Sequence, residues 1–182
     1  MSDIHVSIDL ETLGTRADCT ILSIGAAAKV NGEVTTFFAP VNLSEESQGT
    51  RIIDNDTLEW WRKKGELFTE TLNTCRYANG LIDVLQSLST WYTHLGTDSD
   101  RLYPWGNGAS FDIAILDHAY ASNGTKPPWA FWMVRDLRTL KHLAQDAGAY
   151  VPIDRSDKHH VAVDDAIDQL EMIETWWAAL TK

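Results

Sequence analysis

The sequence predicts an α/β protein built on a mixed five-stranded sheet, in which a three-strand antiparallel meander is followed by parallel strands and helices lie on the flanks. Three strand-like segments come first in the chain, joined by short connections, and helix-like and strand-like segments then alternate. The chain has 182 residues, of which 44% are hydrophobic. This is enough apolar material for one core, and we predict a single domain over residues 1–182.

Period-two patterns predict the meander. Residues 4–11 alternate strictly, with apolar side chains on one face and four polar ones on the other, namely His5, Ser7, Asp9 and Glu11. Residues 20–30 and 33–39 have the composition of two further strands. The Asn31-Gly32 dipeptide between them is a strong hairpin signal, so these two strands are predicted to be antiparallel neighbours.

Capping residues, glycines and apolar spacing predict the helices of the first half. The polar stretch 42–48 is predicted to be a loop. A helix that begins near Asp54 or Asp56 is predicted to end at Gly65, a residue type favoured just after a helix. Apolar side chains recur at helical spacing over residues 80–95, which predicts a core helix.

The second half alternates between the two element types. Strands are predicted over residues 101–105, ending at Gly106, and over 130–134. Helices are predicted over 110–121 with Ser110 as the cap, over 137–147, and over 163–180. The parallel strands of the sheet are expected from this part of the chain.

Charge and composition exclude some functions. A net charge of −11 argues against a protein that coats nucleic acid by bulk electrostatics, but not against an enzyme that grips one chain end. Acids that hold divalent cations would account for part of the charge. Two basic clusters occur, one at Arg62, Lys63 and Lys64 and one at Arg135, Arg138 and Lys141. The first is typical of a solvated helix face.

No segment resembles a membrane span or a signal peptide. The longest apolar runs are far too short to cross a bilayer, and the N-terminus lacks basic and apolar leader regions. Cys19 and Cys75 have no metal-ligand spacing and are predicted to be reduced, packed thiols. We therefore expect a cytoplasmic protein with no membrane partner, located in the host cytoplasm if a phage encodes it.

Three segments each place acids where a two-metal nuclease needs them. Asp9 and Glu11 share one strand face, Asp112 follows a Gly-rich bend, and Asp165 begins the last helix with His160 in the loop before it. Four acids can hold a pair of divalent cations, and a histidine can accept a proton from water. Together they suit the hydrolysis of a phosphodiester.

Each of these features also has an ordinary explanation. Asp9 and Glu11 could lie on an exposed acidic strand face, and Asp112 could be an acid that stabilises the helix dipole. The histidine motif has a second register with the same spacing, formed by His159 and Asp164. The joint occurrence of the motifs in this order favours the nuclease interpretation.

In these motifs the sequence resembles the DEDDh exonucleases, the proofreading-exonuclease group of the RNase H-like superfamily. The resemblance is carried by Asp-x-Glu-Thr at residues 9–12, by Asp112 after Asn107 and Phe111, and by His-x4-Asp-Ala at residues 160–166. Within that group, residues 56–61, 105–108 and 135–139 are similar to phage DexA-type 3′→5′ exonucleases and to exoribonuclease AS.

The resemblance implies an RNase H-like fold and a metal-dependent 3′→5′ exonuclease. Two divalent cations, Mg²⁺ or Mn²⁺, would be held by Asp9, Glu11, Asp112 and Asp165. His160 would act as general base toward the attacking water. The family places the ligand directly before a small residue, which favours His160 with Asp165 over the shifted pair.

The resemblance also implies a pocket for the terminal nucleotide, lined by Thr12 and Leu13. Further substrate contacts are expected from Trp105, Asn107, Phe111, Trp61 and Arg138. Trp105 and Phe111 are candidate stacking platforms for bases, with core packing as the alternative. Because Trp60 and Trp61 are adjacent on a helix, at most one can face the core fully, and the other would face substrate or the second subunit of a homodimer.

The expected substrate is the 3′ end of single-stranded nucleic acid, with DNA slightly favoured over RNA. No motif indicates contacts to the 2′-OH, and it is through such contacts that a protein distinguishes RNA from DNA. Two alternatives come from other classes. One is a non-enzymatic nucleic-acid-binding or polymerase-associated module on the same fold, against which the intact acids and histidine argue. The other is an RNase H-like endonuclease, which the His-x4-Asp spacing disfavours.

Overall fold

Five strands form one mixed sheet in the computed structural model of the protein, which describes residues 3–97, 100–153 and 160–181. The strands are β1 Asp3–Thr12, β2 Ile21–Val30, β3 Glu33–Pro40, β4 Arg101–Gly106 and β5 Arg135–Asp136. Their order is β3-β2-β1-β4-β5. The pairs β1–β2 and β2–β3 are antiparallel, whereas β1–β4 and β4–β5 are parallel. The predicted fold class, with its meander and parallel strands, is confirmed.

Seven helices flank the sheet in the described part of the chain. They are α1 Glu45–Gln48, α2 Asn55–Arg62, α3 Glu66–Arg76, α4 Leu81–Thr93, α5 Asp112–Ser122, α6 Leu137–Asp146 and α7 Ala162–Leu180. A 3₁₀ turn spans Phe131–Met133. Across the described ranges, no helix combines the length and the apolar character that a membrane crossing requires.

Local chemistry explains the elements that were predicted correctly. The hairpin between β2 and β3 turns at Asn31 and Gly32, whose φ angles of 53° and 86° are the left-handed values that a two-residue hairpin turn needs. Asp54 caps α2, since its side chain accepts a hydrogen bond from the Asp56 amide. Cys19 and Cys75 are free and buried, as predicted.

Two elements of the first half differ from the prediction. The stretch 42–48, predicted as a loop, contains the single-turn helix α1. Helix α3 was missed, because only residues 63–65 separate it from α2, which ends at Arg62. Gly65 has φ 60°, so this short turn can join the two helices without a longer linker whose composition would mark a second helix.

Two predictions in the second half were also wrong. Residues 130–134 form no strand; the 3₁₀ turn lies there and β5 begins at Arg135, because this edge strand pairs only with the last two residues of β4. Phe131 and Trp132 are accordingly exposed rather than packed on the sheet. Ser110 does not cap α5, which begins at Asp112 after Phe111 and has no side-chain cap.

Strand β1 is covered on both faces. Its apolar face, with Ile4, Val6, Ile8 and Leu10, packs in the main core together with side chains of α4 and α5. Its polar face lies under α7, where Ser7 bonds to Gln169 of that helix. Glu11 is 8% exposed. The interpretation of Asp9 and Glu11 as an exposed acidic strand face is therefore wrong.

The start of α7 lies directly against β2, and the contact point is Gly25. A Cβ on Gly25 would lie 2.1 Å from the carbonyl carbon of Ala162, the first residue of α7. Further along, Ala27 packs against Ala166 and Leu170. Gly25 pairs with Asp9 across the antiparallel ladder. The missing side chain thus lets the helix begin beside the acidic segment of β1.

Replacing Gly25 by alanine is expected to destabilise the protein. Overpacking typically costs about 1–3 kcal/mol, and we expect a value of about 3 kcal/mol because the added methyl meets backbone rather than a movable side chain. Urea unfolding followed by circular dichroism would measure the free energy of unfolding. Gly80→Ala is the matched control, since its methyl would meet nothing closer than 3.8 Å. We expect that variant to stay within about 1 kcal/mol of wild type. Equal stability of the two variants would contradict the close-approach argument.

Candidate active site

The site lies at the carboxyl ends of the parallel strands β1 and β4. The two strands last pair at Ile8 and Gly106. Residues 9–12 of β1 continue beyond that point, and β4 gives way to the turn that carries Asn107. The crevice outside the carboxyl ends of strands is where open α/β sheets bind ligands. The acidic segment of β1 therefore faces a crevice rather than a neighbouring strand on that side.

Three carboxylates meet in this crevice. Asp9 and Glu11 come from β1, and Asp165 comes from the first turn of α7; one oxygen of each lies within 4.8 Å of the others. Among the described residues, Asp164 is not part of this group. The side chains therefore follow the register that the small residue after Asp165 predicts.

Asp112 lies next to this group, at the first position of α5. It is 2% exposed, and its Oδ1 accepts a hydrogen bond of 3.3 Å from the amide of Leu10, the residue between the two β1 acids. A Cβ on Gly106 would lie 3.0 Å from the Asp112 Oδ2, so the glycine at the end of β4 makes room for the carboxylate. Asp112 is a buried member of the site rather than an acid placed only at a helix end.

Burial raises the pKa values of Asp9, Glu11 and Asp112, and repulsion by neighbouring carboxylates adds to the shift of Asp9 and Glu11. Desolvation, followed by the negative charges of Asp112 and Glu11, holds the pKa of Asp9 well above its usual range. Desolvation, with Asp165 and Asp112 nearby, raises the pKa of Glu11 to about 8. Desolvation raises the pKa of Asp112 to about 7. Since full ionisation is costly without compensating positive charge, this oxygen-only donor set fits hard divalent cations.

Gln169 fixes one of the acids and was missed from the sequence. Its Nε2 donates a 2.7 Å hydrogen bond to Oδ1 of Asp9, and its side chain is 4% exposed. It lies four residues after Asp165, on the same face of α7. That spacing on an otherwise apolar face is the signal that could have found it. Partners of this kind orient ligating carboxylates.

His160 stands at the edge of the acid group in a left-handed backbone conformation, with φ 68°. Its amide donates a 2.8 Å hydrogen bond to Oδ2 of Asp165. Its Nε2 lies 3.0 Å from the Nζ of Lys64, and its ring meets Trp60 edge-on at 4.9 Å between centroids. The alternative residue, His159, lies outside the described residues.

Lys64 is a second site residue that the sequence did not reveal. It follows α2, and its half-buried ammonium lies beside His160 and 4.4 Å from the centre of the Trp60 ring. Its charge lowers the pKa of Glu11, against the larger effect of burial. The solvated-face interpretation describes its exposed neighbours Arg62 and Lys63 but is wrong for Lys64.

A pocket of about 470 Å³ opens beside Glu11 on the α2 side of the acids; we call it the terminal pocket. Its wall includes Thr12, Phe111, Trp60 and Trp61. Phe111 is half-buried, so one side of its ring packs on the core while it still contributes to the wall. The volume lies within the range of small-molecule sites.

Two expected substrate contacts, Leu13 and Trp105, are core residues instead, whereas Trp61 is a core residue that also forms part of the pocket wall. Leu13 is 3% exposed and packs with Trp61 and Phe68, so it is not part of the pocket wall. Trp61 is 1% exposed, and its indole N–H donates to the Thr12 carbonyl at 2.8 Å. The tryptophan that presents its ring to the site is Trp60, which is 40% exposed.

Trp105 is likewise no stacking platform. It is 2% exposed and packs with α6 and α7. Its indole N–H donates a 3.0 Å hydrogen bond to Nδ1 of His5. Desolvation lowers the pKa of His5 to about 4, so the imidazole stays neutral and can accept that bond. The core-packing alternative is the correct one.

Asn107 and Arg138 do not line the terminal pocket. Both line a second concavity between α6 and α7, of about 570 Å³. Arg138 is exposed, and a Cβ on Gly108 would lie 3.5 Å from its Cζ. The expected substrate contacts outside the core thus fall into two groups, each lining its own pocket.

Residues 4–177 match a family model described as the 3'-5' exoribonuclease Rv2179c-like domain. None of the curated protein sequences matches the chain.

Solved nucleases share the fold at low identity. Cell-death related nuclease 4 (CRN-4) superposes with a TM-score of 0.68 at 12% identity, covering 95% of this chain and 63% of that one. The nuclease domain of 3'hExo, a DEDDh family member bound to rAMP, has a TM-score of 0.62 at 16% identity, and the match covers 94% of this chain and 90% of that one. E. coli Exonuclease I in complex with an oligonucleotide has a TM-score of 0.67 at 13% identity, and the match covers 96% of this chain and 40% of that one. The chain therefore spans less than two thirds of CRN-4 and of Exonuclease I.

The raised pKa values predict that the metal-free protein loses stability as the pH rises. Carboxyl groups of the unfolded chain ionise near pH 4, whereas those of Asp112 and Glu11 ionise near 7 and 8 in the folded protein. The favourable contribution of these two carboxyl groups to the free energy of unfolding is complete below about pH 4 and is lost progressively up to about pH 8. Asp9→Asn removes one repelling charge, so its melting-temperature advantage over wild type should grow with pH. Thermal melts in EDTA from about pH 5 to 8 would measure it, at about 2–4 °C per kcal/mol.

The matched control is Asp146→Asn, which removes an exposed charge at the end of α6. Its melting temperature should differ from wild type by an amount that is nearly constant with pH. An advantage of Asp9→Asn that is flat, or that shrinks from pH 5 to 8, would show that the acid group carries no such strain.

Proposed function

We propose that this chain, which belongs to the 3'-5' exoribonuclease Rv2179c-like domain family, is a 3′→5′ exonuclease that removes mononucleotides from the 3′ end of single-stranded RNA with the help of divalent cations. The observation that carries the proposal is the partly buried group of Asp9, Glu11 and Asp165 beside Asp112, with a pocket next to Glu11. A chain end fits a site whose terminal pocket is walled by α2.

The carboxylates would hold two divalent cations, Mg²⁺ or Mn²⁺. Asp9, Glu11 and Asp165 offer oxygens close enough to share a cation, and Asp112 adds a fourth carboxylate beside them. When bound, such cations supply Lewis acidity at a phosphate and lower the pKa of water. Gln169 holds Asp9 in place, which reduces the side-chain freedom that ligation would otherwise remove.

His160 would accept the proton of the attacking water, through Nε2. In the structure that nitrogen lies 3.0 Å from the Lys64 ammonium, which can only donate, so the lone pair is engaged. A substrate phosphate offers the ammonium a charged partner. We propose that Lys64 turns toward the phosphate when RNA binds, so that Nε2 can accept the proton of the water.

The terminal pocket would take the 3′ nucleotide. Phe111 and Trp60 supply aromatic surface, and base–aromatic stacking contributes about 1–3 kcal/mol per base while tolerating every sequence. Asp56, in the pocket wall, offers an acceptor for a ribose hydroxyl. The family's description as an exoribonuclease supports RNA over the DNA slightly favoured from the sequence. The resemblance to DexA-type enzymes keeps DNA as the alternative substrate.

A time course on matched 5′-labelled RNA and DNA single strands tests the proposal. We expect a descending ladder on RNA with Mg²⁺ or Mn²⁺, slower shortening of DNA, and no reaction in EDTA. Asp165→Ala should abolish the ladder, whereas Asp164→Ala, which changes the adjacent acid outside the carboxylate group, should retain it. An immediate cut in the middle of the strand would indicate an endonuclease, and full activity in EDTA would exclude the metal role.

Removing the imidazole of His160 is expected to slow turnover by about 10²- to 10⁴-fold, the usual contribution of a general base. Metal binding should be largely kept, because the four carboxylates are untouched. Single-turnover rates beside a calorimetric Mn²⁺ titration separate the two effects. His159→Ala, the neighbouring histidine in sequence, is the control and should be mild. A His160→Ala variant that no longer binds Mn²⁺ would make His160 a ligand, and a fully active one would remove it from the mechanism.

A further inference from the structure

The concavity between α6 and α7, which we call the upstream pocket, has the charge of a phosphate site. Arg138, Lys141 and His142 of α6 line it, together with the side chains Asn107, Leu137, Gln145, Tyr150, Ile153, Met172 and Trp176. No aspartate or glutamate is among these described lining residues. In a chain with a net charge of −11, a concavity that holds cations and no carboxylate is a local reversal of the overall field.

The cations of this pocket are available to a ligand. Arg138 and Lys141 are exposed. Within residues 3–97, 100–153 and 160–181, neither forms a salt bridge. Lys141 has its Nζ 5.8 Å from the ring centre of Tyr150, so the charge lies beside an aromatic side chain. Cations next to aromatic rings are the combination with which proteins follow a single strand.

A short rigid turn connects the pocket to the catalytic acids. On one side of it, Gly106 lies against Asp112, and a Cβ there would be 3.0 Å from the Asp112 carboxylate. On the other side, Gly108 lies against Arg138, whose Cζ would be 3.5 Å from a Cβ at that glycine. Asp136 fixes the turn, because its carboxylate accepts the Ala109 amide at 2.8 Å. Only the width of this turn separates the pocket from the acids.

We propose that the upstream pocket binds the phosphodiester backbone of the RNA strand on the 5′ side of the scissile phosphate, with Arg138 and Lys141 as the phosphate contacts. This inference rests on the proposed function. The terminal pocket borders Glu11, the upstream pocket borders Arg138, and no described residue lines both. A strand whose last nucleotide occupies the first and whose scissile phosphate meets the acids can place its upstream phosphates in the second.

The proposal predicts a dependence on strand length. A dinucleotide has a scissile phosphate but no phosphate further upstream, so it cannot use Lys141. Lys141→Gln should therefore raise KM for an RNA of about 12 nucleotides by about two- to fivefold, the effect of one exposed charge contact, and leave KM for the dinucleotide unchanged. Arg138→Gln combined with Lys141→Gln should raise the oligonucleotide KM further than Lys141→Gln alone, without being strictly multiplicative, since the two side chains are neighbours on α6.

Binding without turnover gives a second readout. Fluorescence anisotropy in EDTA, between about 50 and 200 mM salt, measures the slope of log affinity against log salt, to which each phosphate that the protein neutralises on a single strand contributes about 0.7. Lys141→Gln should make that slope shallower by about this amount. The matched control is Lys29→Gln, an exposed lysine of β2 that pairs with Val34 near the hairpin turn, away from the acids. It should change neither slope nor KM.

The outcomes separate the two proposals. If Lys141→Gln behaves like Lys29→Gln in slope and in oligonucleotide KM, or if it weakens the dinucleotide equally, the upstream pocket is not the strand path. If wild type shortens neither RNA, the proposed function fails, while the anisotropy slope still tests the pocket. The substituted lysine is on an exposed helix surface, where glutamine has a similar helix propensity, so the variant is expected to fold.

Discussion

The candidate site depends on one close contact, the approach of the first turn of α7 to Gly25 of β2. Backbone atoms of Ala162 occupy the space that any side chain at Gly25 would need. This contact sets the helix on the polar face of β1, and the helix then supplies Asp165 to the acid group and Gln169 to Asp9. A helix held farther from the sheet would leave the β1 acids without their third partner. Interiors are packed too densely for such a shift to be absorbed locally.

The contact at Gly25 brings together carboxyl groups that repel one another when they are ionised. Desolvation raises the carboxyl pKa of Asp112 to about 7, and desolvation together with the charges of Asp165 and Asp112 raises that of Glu11 to about 8. The apolar face of β1, packed in the main core, offsets the cost. Among the described residues, Lys64 is the cation whose charge lowers the pKa of Glu11. The fold therefore preforms a group of acids that favours cations, and this group lowers the free energy of unfolding.

Patterns confined to one segment could be predicted from the sequence, and relations between distant segments could not. The alternation along residues 4–11 and the Asn31-Gly32 turn encode their own geometry, so the meander was predicted correctly. The short β5 could not be found, since its length is set by where β4 ends. Trp105 carries no local sign of burial, because its ring is covered by α6 and α7 and bonds to His5, a hundred residues earlier in the chain. The role of Lys64 could not be predicted either, since a turn after α2 brings it to His160, which is distant in sequence.

The distribution of charge explains how an acidic protein can bind a polyanion. Its net charge of −11 repels nucleic acid at distances beyond the Debye length of about 8–10 Å only weakly, because salt screens it. Within that distance, the charged groups next to the strand determine whether it is attracted or repelled. Lys64 lies beside His160, and Arg138 lines the upstream pocket. Two divalent cations held by the four carboxylates would cancel the negative charge at the centre, so the acids would no longer repel the scissile phosphate. A strand would then meet neutral or positive groups along this path and negative charge elsewhere, which favours binding at this one place.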